Sequence, residues 1–183
     1  VAATLGLPGI PLNVAHRATN KIQRIARLTD NGIPCAKFEV ANNRGELLNK
    51  AEKIGFPLVL KPVDSAGARG VQLVSDEIDL IAAYKEAIKY SKEKQVLLEE
   101  VLSGPEVSTE SVVYKGIAHT FALADRNYDK SEQFRPFYIE DGVNYPSNLS
   151  DEIQKSIYIL VEKTIDILGI KFGAAKGDII IDK

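Results

Sequence analysis

The apolar positions of this chain change their period several times, and each change marks the border of an element. Ile22, Ile25, Ala26 and Thr29 recur at helical spacing behind Thr19 and Asn20, either of which can cap a helix. Asn31-Gly32 closes that helix and Pro34 prevents its continuation, so a strand is expected over residues 35–40. Leu47, Leu48, Ala51 and Ile54 mark a second helix, stopped by Gly55 and Pro57. The continuous run Leu58-Val59-Leu60 reads as a buried strand, with residues 71–74 as its returning partner. Asp76 caps a further helix whose face is Leu80, Ile81, Tyr84 and Ile88. Three strand-like runs follow at 95–101, 106–114 and 117–124, the last two joined by a tight turn at Lys115-Gly116. Residues 127–148 have no clear period and read as a long loop. Ser150 then caps a long helix carrying Ile153, Ile157, Leu160, Val161, Ile165 and Leu168, closed by Gly169, and residues 174–181 form the last predicted strand. Residues 1–19, with Gly6, Pro8, Gly9 and Pro11, read as a connector. The pattern predicts an α+β fold in two lobes, with mostly antiparallel sheet.

Composition narrows the class. Hydrophobic residues make up 45% of the 183 and charged residues 26%, the balance of an ordinary globular protein with a real core. A formal charge of −2 leaves no basic footprint for nucleic acid or an anionic membrane. Cys35 is the single cysteine, so no intrachain disulfide forms and a reducing, cytoplasmic compartment fits. No apolar run nears the roughly 20 residues of a membrane span. The chain opens Val1-Ala2-Ala3, lacks methionine and stops in the strand-like run Ile179-Ile180-Ile181, so the expectation is an internal piece of a longer protein.

The candidate chemistry gathers after Phe56. Leu58-Val59-Leu60 delivers Lys61 into Pro62-Val63-Asp64-Ser65-Ala66-Gly67-Ala68-Arg69-Gly70, and an apolar run leaves it. A lysine at a strand end is a point charge suited to phosphate, and glycines let loop N–H groups approach an anion. The order differs from a P-loop, where the lysine follows the glycines and opens a helix. His16 and His119 are the only histidines, so a structural zinc site is not supported, and there is no Gly-x-Ser-x-Gly elbow. Further along, Leu97-Leu98-Glu99-Glu100-Val101-Leu102 leads through Ser103-Gly104-Pro105 to Glu106. Backbone groups of such a strand end suit an adenine edge, and a carboxylate past the turn suits two ribose hydroxyls. Gly177-Asp178 places an acid on the last strand, where it can serve as an oxygen ligand for Mg²⁺. Arg126 and Arg135 flank the long loop; their planar forks match a carboxylate, while a solvated surface pair is the simpler reading.

In this order and spacing the residues resemble the ATP-grasp superfamily, above all its carbamoyl-phosphate synthase large-chain-like carboxylate–amine ligases. The likeness spans about residues 5–183 and is most specific at 57–71 and 97–110. It implies the ATP-grasp fold, incomplete on the C-terminal side: a connector and first helix at 1–33, a small lid lobe at 34–102, and the beginning of a large lobe at 103–183. It implies ATP and Mg²⁺ as cofactors, with Lys21 and Lys61 on the phosphates. Ser65, Gly67 and Gly70 belong to the closing loop, and Arg69 joins Lys61 in catalysis by adding charge there. Glu99, Glu100, Val101 and Leu102 form the adenine hinge, Glu106 takes the ribose, and Asp178 is the first metal ligand.

The activity so implied is activation of a small-molecule carboxylate as an acyl phosphate for attack by an amine, with this fragment inactive alone. The family's second metal segment falls beyond Lys183. Two other readings stay open: a nucleotide-binding module without turnover, and one subunit of a split synthetase completed by a second copy or a partner chain.

Overall fold

A computed structural model describes residues 2–182. The first two helices are α1 (Leu12–Thr19) and α2 (Lys21–Asp30). They are followed by β1 (Phe38–Ala41), α3 (Leu47–Ile54), β2 (Leu58–Pro62), β3 (Gln72–Val74), α4 (Glu77–Tyr90) and β4 (Val96–Glu100). The second half runs β5 (Glu106–Tyr114), β6 (Ile117–Asn127), β7 (Gly142–Asn144), α5 (Asp151–Leu168) and β8 (Gly173–Ile180).

The first four strands form one antiparallel sheet in the order β1-β4-β2-β3. Strand alternation assigns its faces. Leu58, Leu60, Val74, Val96 and Leu98 point to α3 and α4, where Leu47, Ala51, Leu80, Ala83 and Ala87 complete a dry core. Asp76 starts α4 by accepting from the N–H groups of Ile78 and Asp79, as its position predicted. The opposite face is covered in part by α2, whose Ile22 and Ile25 meet Phe38, Val40, Val63 and Leu97. Lys61 and Glu99 lie on this second face because Leu60, Pro62 and Leu98 take the first one.

The other four strands form a second antiparallel sheet in the order β7-β6-β5-β8. Val107, Val113 and Leu123 pack against Ile157, Val161, Ile165 and Leu168 of α5. Glu106, Arg126 and Asp178 lie on the face away from that core. Lys115 and Gly116, both at positive φ (50° and 83°), make the tight turn between β5 and β6. The α+β fold with antiparallel sheets and flanking helices is therefore present as the hydrophobic pattern indicated.

Four local expectations change. Residues 1–19 are not merely a connector: Pro11, its φ fixed near that of a helix, leads into α1. Val14 of α1 is buried in the second core, and Arg17 donates to the Leu168 carbonyl at 3.1 Å, closing the end of α5. The first strand begins at Phe38 rather than residue 35, because the chain is still descending from α2 through Ile33 into that same core. Within the long loop, residues 142–144 pair with β6, a strand too short to show alternation. Ser150 occupies the N-cap position of α5 but makes no side-chain cap. The preceding turn is held instead by Asp125, which accepts from Ser147 and Asn148, and by Gln154, which donates to the Leu149 carbonyl at 2.8 Å.

Two connections tie the sheets together. The Leu73 N–H donates to the Pro136 carbonyl at 2.9 Å, and Gln72 bridges to Phe137, so the long loop reaches the edge strand β3. At the crossover from β4 to β5, the Ile181 N–H donates to the Pro105 carbonyl and the Ser103 N–H to Asp182.

Candidate functional site

On the first sheet, Lys61 forms an ion pair with Glu99 across β2 and β4; the register sets Val59 opposite Glu99, placing both charges on one face. Both side chains are largely shielded, at 21% and 12% exposure. Lys21 opens α2 because Asn20 caps the helix by accepting from the Gln23 N–H. Its Nζ donates to the Ser65 carbonyl at 2.6 Å, anchoring the start of the glycine loop. Burial, then the neighbouring charges of Lys61 and Arg24, pushes Lys21 down to a pKa of about 8. A second anchor is Asp64, which accepts from the Lys92 and Glu93 N–H groups. Beyond these anchors residues 66–69 are exposed; Gly67, Ala68 and Gly70 have positive φ, and Arg69 folds back onto the Ala66 carbonyl at 3.1 Å.

The two glycines differ in role. A Cβ on Gly67 meets nothing within 4 Å, whereas one on Gly70 sits 3.0 Å from the Tyr90 ring and 3.1 Å from Ala87 Cα. Gly70 thus lets the loop's exit pack on α4, while Gly67 belongs to its open tip.

On the second sheet Arg126 is the centre. Its Nη1 pairs with Glu106, its Nε donates to Glu140 at 2.9 Å with Nη2 on the same oxygen, and Asp178 lies 3.6 Å from Nη1. Tyr128 donates its hydroxyl to Glu106 at 3.1 Å, and its ring centroid lies 5.4 Å from the guanidinium carbon. Burial raises the Glu106 pKa, an effect that Arg126 and Tyr128 oppose. Asp178 also lies 3.5 Å from Lys176.

Arg24, one turn along α2 from Lys21, joins the two halves. Burial lowers its pKa, while Glu99 of the first sheet and Asp178 of the second both act to raise it. Arg24 therefore feels carboxylates of both sheets. Of the residues singled out from sequence, Lys21, Lys61, Ser65 and Glu99 come together, and Glu106 and Asp178 meet through Arg126. Arg69 is not brought to Lys21 or Lys61. Glu100 turns away and accepts from the Lys37 N–H at 2.6 Å, pinning the entry to β1. Val101 and Leu102 continue from β4, half-buried, toward Gly104.

Sequence reading missed Arg24, Tyr128 and Glu140, and took Arg126 for a solvated residue. The i, i+3 spacing of Lys21 and Arg24 was available as a signal. Glu140 and Tyr128 carried none, since only the return of β7 beside β6 brings Glu140 to the arginine.

A sequence model of the family described as "D-ala D-ala ligase C-terminus" matches residues 28–183. The chain belongs to this family of ATP-grasp ligases. A D-alanine–D-alanine ligase of Pseudomonas entomophila (strain L48) is 28% identical over 185 residues, covering 98% of this chain and 56% of that protein. A formate-dependent phosphoribosylglycinamide formyltransferase of Saccharolobus solfataricus is 27% identical over 141 residues, 75% of this chain and 35% of its own length. Among solved structures, an L-amino acid ligase from Bacillus licheniformis superposes with a TM-score of 0.81 at 27% identity, over 100% of this chain and 41% of that one. The VanG D-Ala:D-Ser ligase of Enterococcus faecalis gives 0.79 at 18% identity, covering 96% and 52%, and so shares the fold. This ATP-grasp chain spans about half the length of the curated relatives it matches.

Proposed function

We propose that the protein supplies the nucleotide-binding part of an ATP-dependent ligase that activates a carboxylate as an acyl phosphate for attack by an amine. The observation that carries this reading is the grouping of Lys21 and Lys61 at the root of the glycine loop. A shielded ammonium with a second one beside it gains most from a polyanion that both can meet. The names of the relatives point to amino acids as the carboxylate and amine, ahead of the narrower carbamoyl-phosphate synthase-like reading.

ATP fits the residues present. Lys21 and Lys61 would hold the phosphates, with loop N–H groups from Ser65 to Gly70 above them and Arg69 free to swing from Ala66. The adenine would sit at the strand end from Glu99 to Leu102, with the ribose on Glu106. For Mg²⁺ the fit is partial. Asp178 offers one carboxylate, and among the described residues no group of three or more His, Cys, Asp or Glu is placed to hold a metal. Mg²⁺ commonly takes one or two carboxylates together with nucleotide phosphates, where it neutralises charge, so Asp178 suits such a shared ion.

The reaction follows from charge. A carboxylate oxygen attacks the γ-phosphorus and ADP leaves; the amine nitrogen then attacks the acyl carbon, phosphate leaves, and the nitrogen loses its proton. Lys21 and Lys61 offset the repulsion between carboxylate and triphosphate. Closure of the exposed glycine loop would keep water from the acyl phosphate. The test is ADP release with a panel of amino-acid pairs. Release that needs both a carboxylate and an amine supports the ligase. Nucleotide binding without turnover on any pair moves the reading to a non-catalytic module, and turnover restored by a second chain moves it to a split synthetase.

A further inference from the structure

We infer that Arg126 is a positioning residue for Glu106, fixing that carboxylate so that one oxygen is engaged and the other is presented to the ribose of a bound nucleotide. The inference rests on the reading of Glu106 as the ribose ligand. Arg126 Nη1 and the Tyr128 hydroxyl both donate to Oε1 of Glu106, leaving Oε2 without either contact. The other edge of the guanidinium is held by Glu140, through Nε and Nη2, so the arginine cannot rotate away from Glu106 without losing both bonds. Only 16% of its side chain is exposed, and the Tyr128 ring lies against it.

The charge balance makes the arrangement one-sided. One guanidinium stands among three carboxylates, those of Glu106, Glu140 and Asp178. Without it, like charges confront each other and only the Tyr128 hydroxyl still holds Glu106 in its present direction. A network of this kind is a weak source of net stability, because desolvation of the charges offsets most of their attraction. It is well suited to setting direction, since two donors, Arg126 Nη1 and the Tyr128 hydroxyl, converge on one oxygen of Glu106. Glu140 belongs to the same long loop that contacts β3 through Pro136, so the orientation of Glu106 also depends on where that loop lies.

The experiment compares the affinity of the protein for ATP and for 2′,3′-dideoxy-ATP, in wild type and in Glu106→Gln, Arg126→Met and Glu140→Gln. Wild type is expected to prefer ATP by about 10-fold or more, the effect of hydrogen bonds to a charged acceptor. Arg126→Met is expected to bring that ratio to about 1–2 while leaving dideoxy-ATP affinity within about 2-fold. An arginine with a merely structural role would weaken both nucleotides together and keep the ratio, which overturns the proposal. A wild-type ratio near one, or no binding of either nucleotide, overturns the ribose reading and the proposal with it. A ratio lost in Glu106→Gln but kept in Arg126→Met overturns the proposal alone. If Arg126→Met does not fold, Glu140→Gln decides, because it frees the arginine without touching Glu106. Its ratio should fall by about 3-fold or more, and an unchanged ratio overturns the proposal.

Discussion

A Lys61→Ala protein is expected to bind ATP at least about 100-fold more weakly than wild type, a loss of about 3 kcal/mol. Two effects add. The ammonium that would meet the phosphates is gone, and Glu99, its side chain only 12% exposed and now without its partner, presents a bare negative charge to the triphosphate. The same unpaired carboxylate should lower the melting temperature, since breaking a shielded ion pair from one side is costly. A Lys61→Ala/Glu99→Gln double variant separates the two consequences. It should regain most of the lost melting temperature and still fail to bind ATP, because neutralising Glu99 removes the repulsion without supplying a cation. Calorimetric titration of both variants checks this. ATP affinity in Lys61→Ala within a few-fold of wild type would remove Lys61 from the phosphate site.

The largest expected effect on stability lies at the crossover between the two sheets. A Cβ placed on Gly104 falls 1.9 Å from the Ile181 carbonyl oxygen and 2.9 Å from its carbon. Those atoms are backbone, and the same segment is laced to the crossover by Ile181 N–H to the Pro105 carbonyl and Ser103 N–H to Asp182. Neither segment can yield without losing these bonds. Gly104→Ala is therefore expected to cost about 3 kcal/mol, at the upper end of ordinary overpacking. For a domain of this size that is a fall in melting temperature of about 6–12 °C. Hydrogen exchange should show the loss first at the end of β8 and at residues 103–106. A melting temperature within about 1 °C of wild type would mean that the crossover is not packed as described.

How much of this was legible in the sequence follows the physics of each part. α3, α4 and α5 carry about two to five turns of apolar spacing with recognisable ends, and the hairpin of β5 and β6 has Lys115-Gly116 to announce it. Lys61 stood out because a buried strand delivers it straight into a glycine loop, and Lys21 because it follows a capping asparagine. α1 was hidden by the glycines and prolines before it, although Val14 and Ala18 gave it an apolar face. The arginine centre could not be read at all. Glu106, Arg126, Glu140 and Asp178 are far apart in sequence, and only the antiparallel pairing of β5 with β6 and β8, and of β7 with β6, brings them together. Arg69 and Glu100 show the converse: both stand beside strong motif residues, yet local geometry turns one onto Ala66 and the other onto Lys37.

The central claim is that Lys21 and Lys61 together receive the phosphates of ATP, and it is most directly tested by lysine acylation at pH 8, read residue by residue by mass spectrometry. Lys21, with a pKa of about 8, should be among the fastest lysines to react in the protein alone. Added ATP should slow Lys21 and Lys61 by about 10-fold or more while surface lysines such as Lys89 and Lys155 keep their rates. Protection confined to other lysines, or none at saturating ATP, would contradict the account.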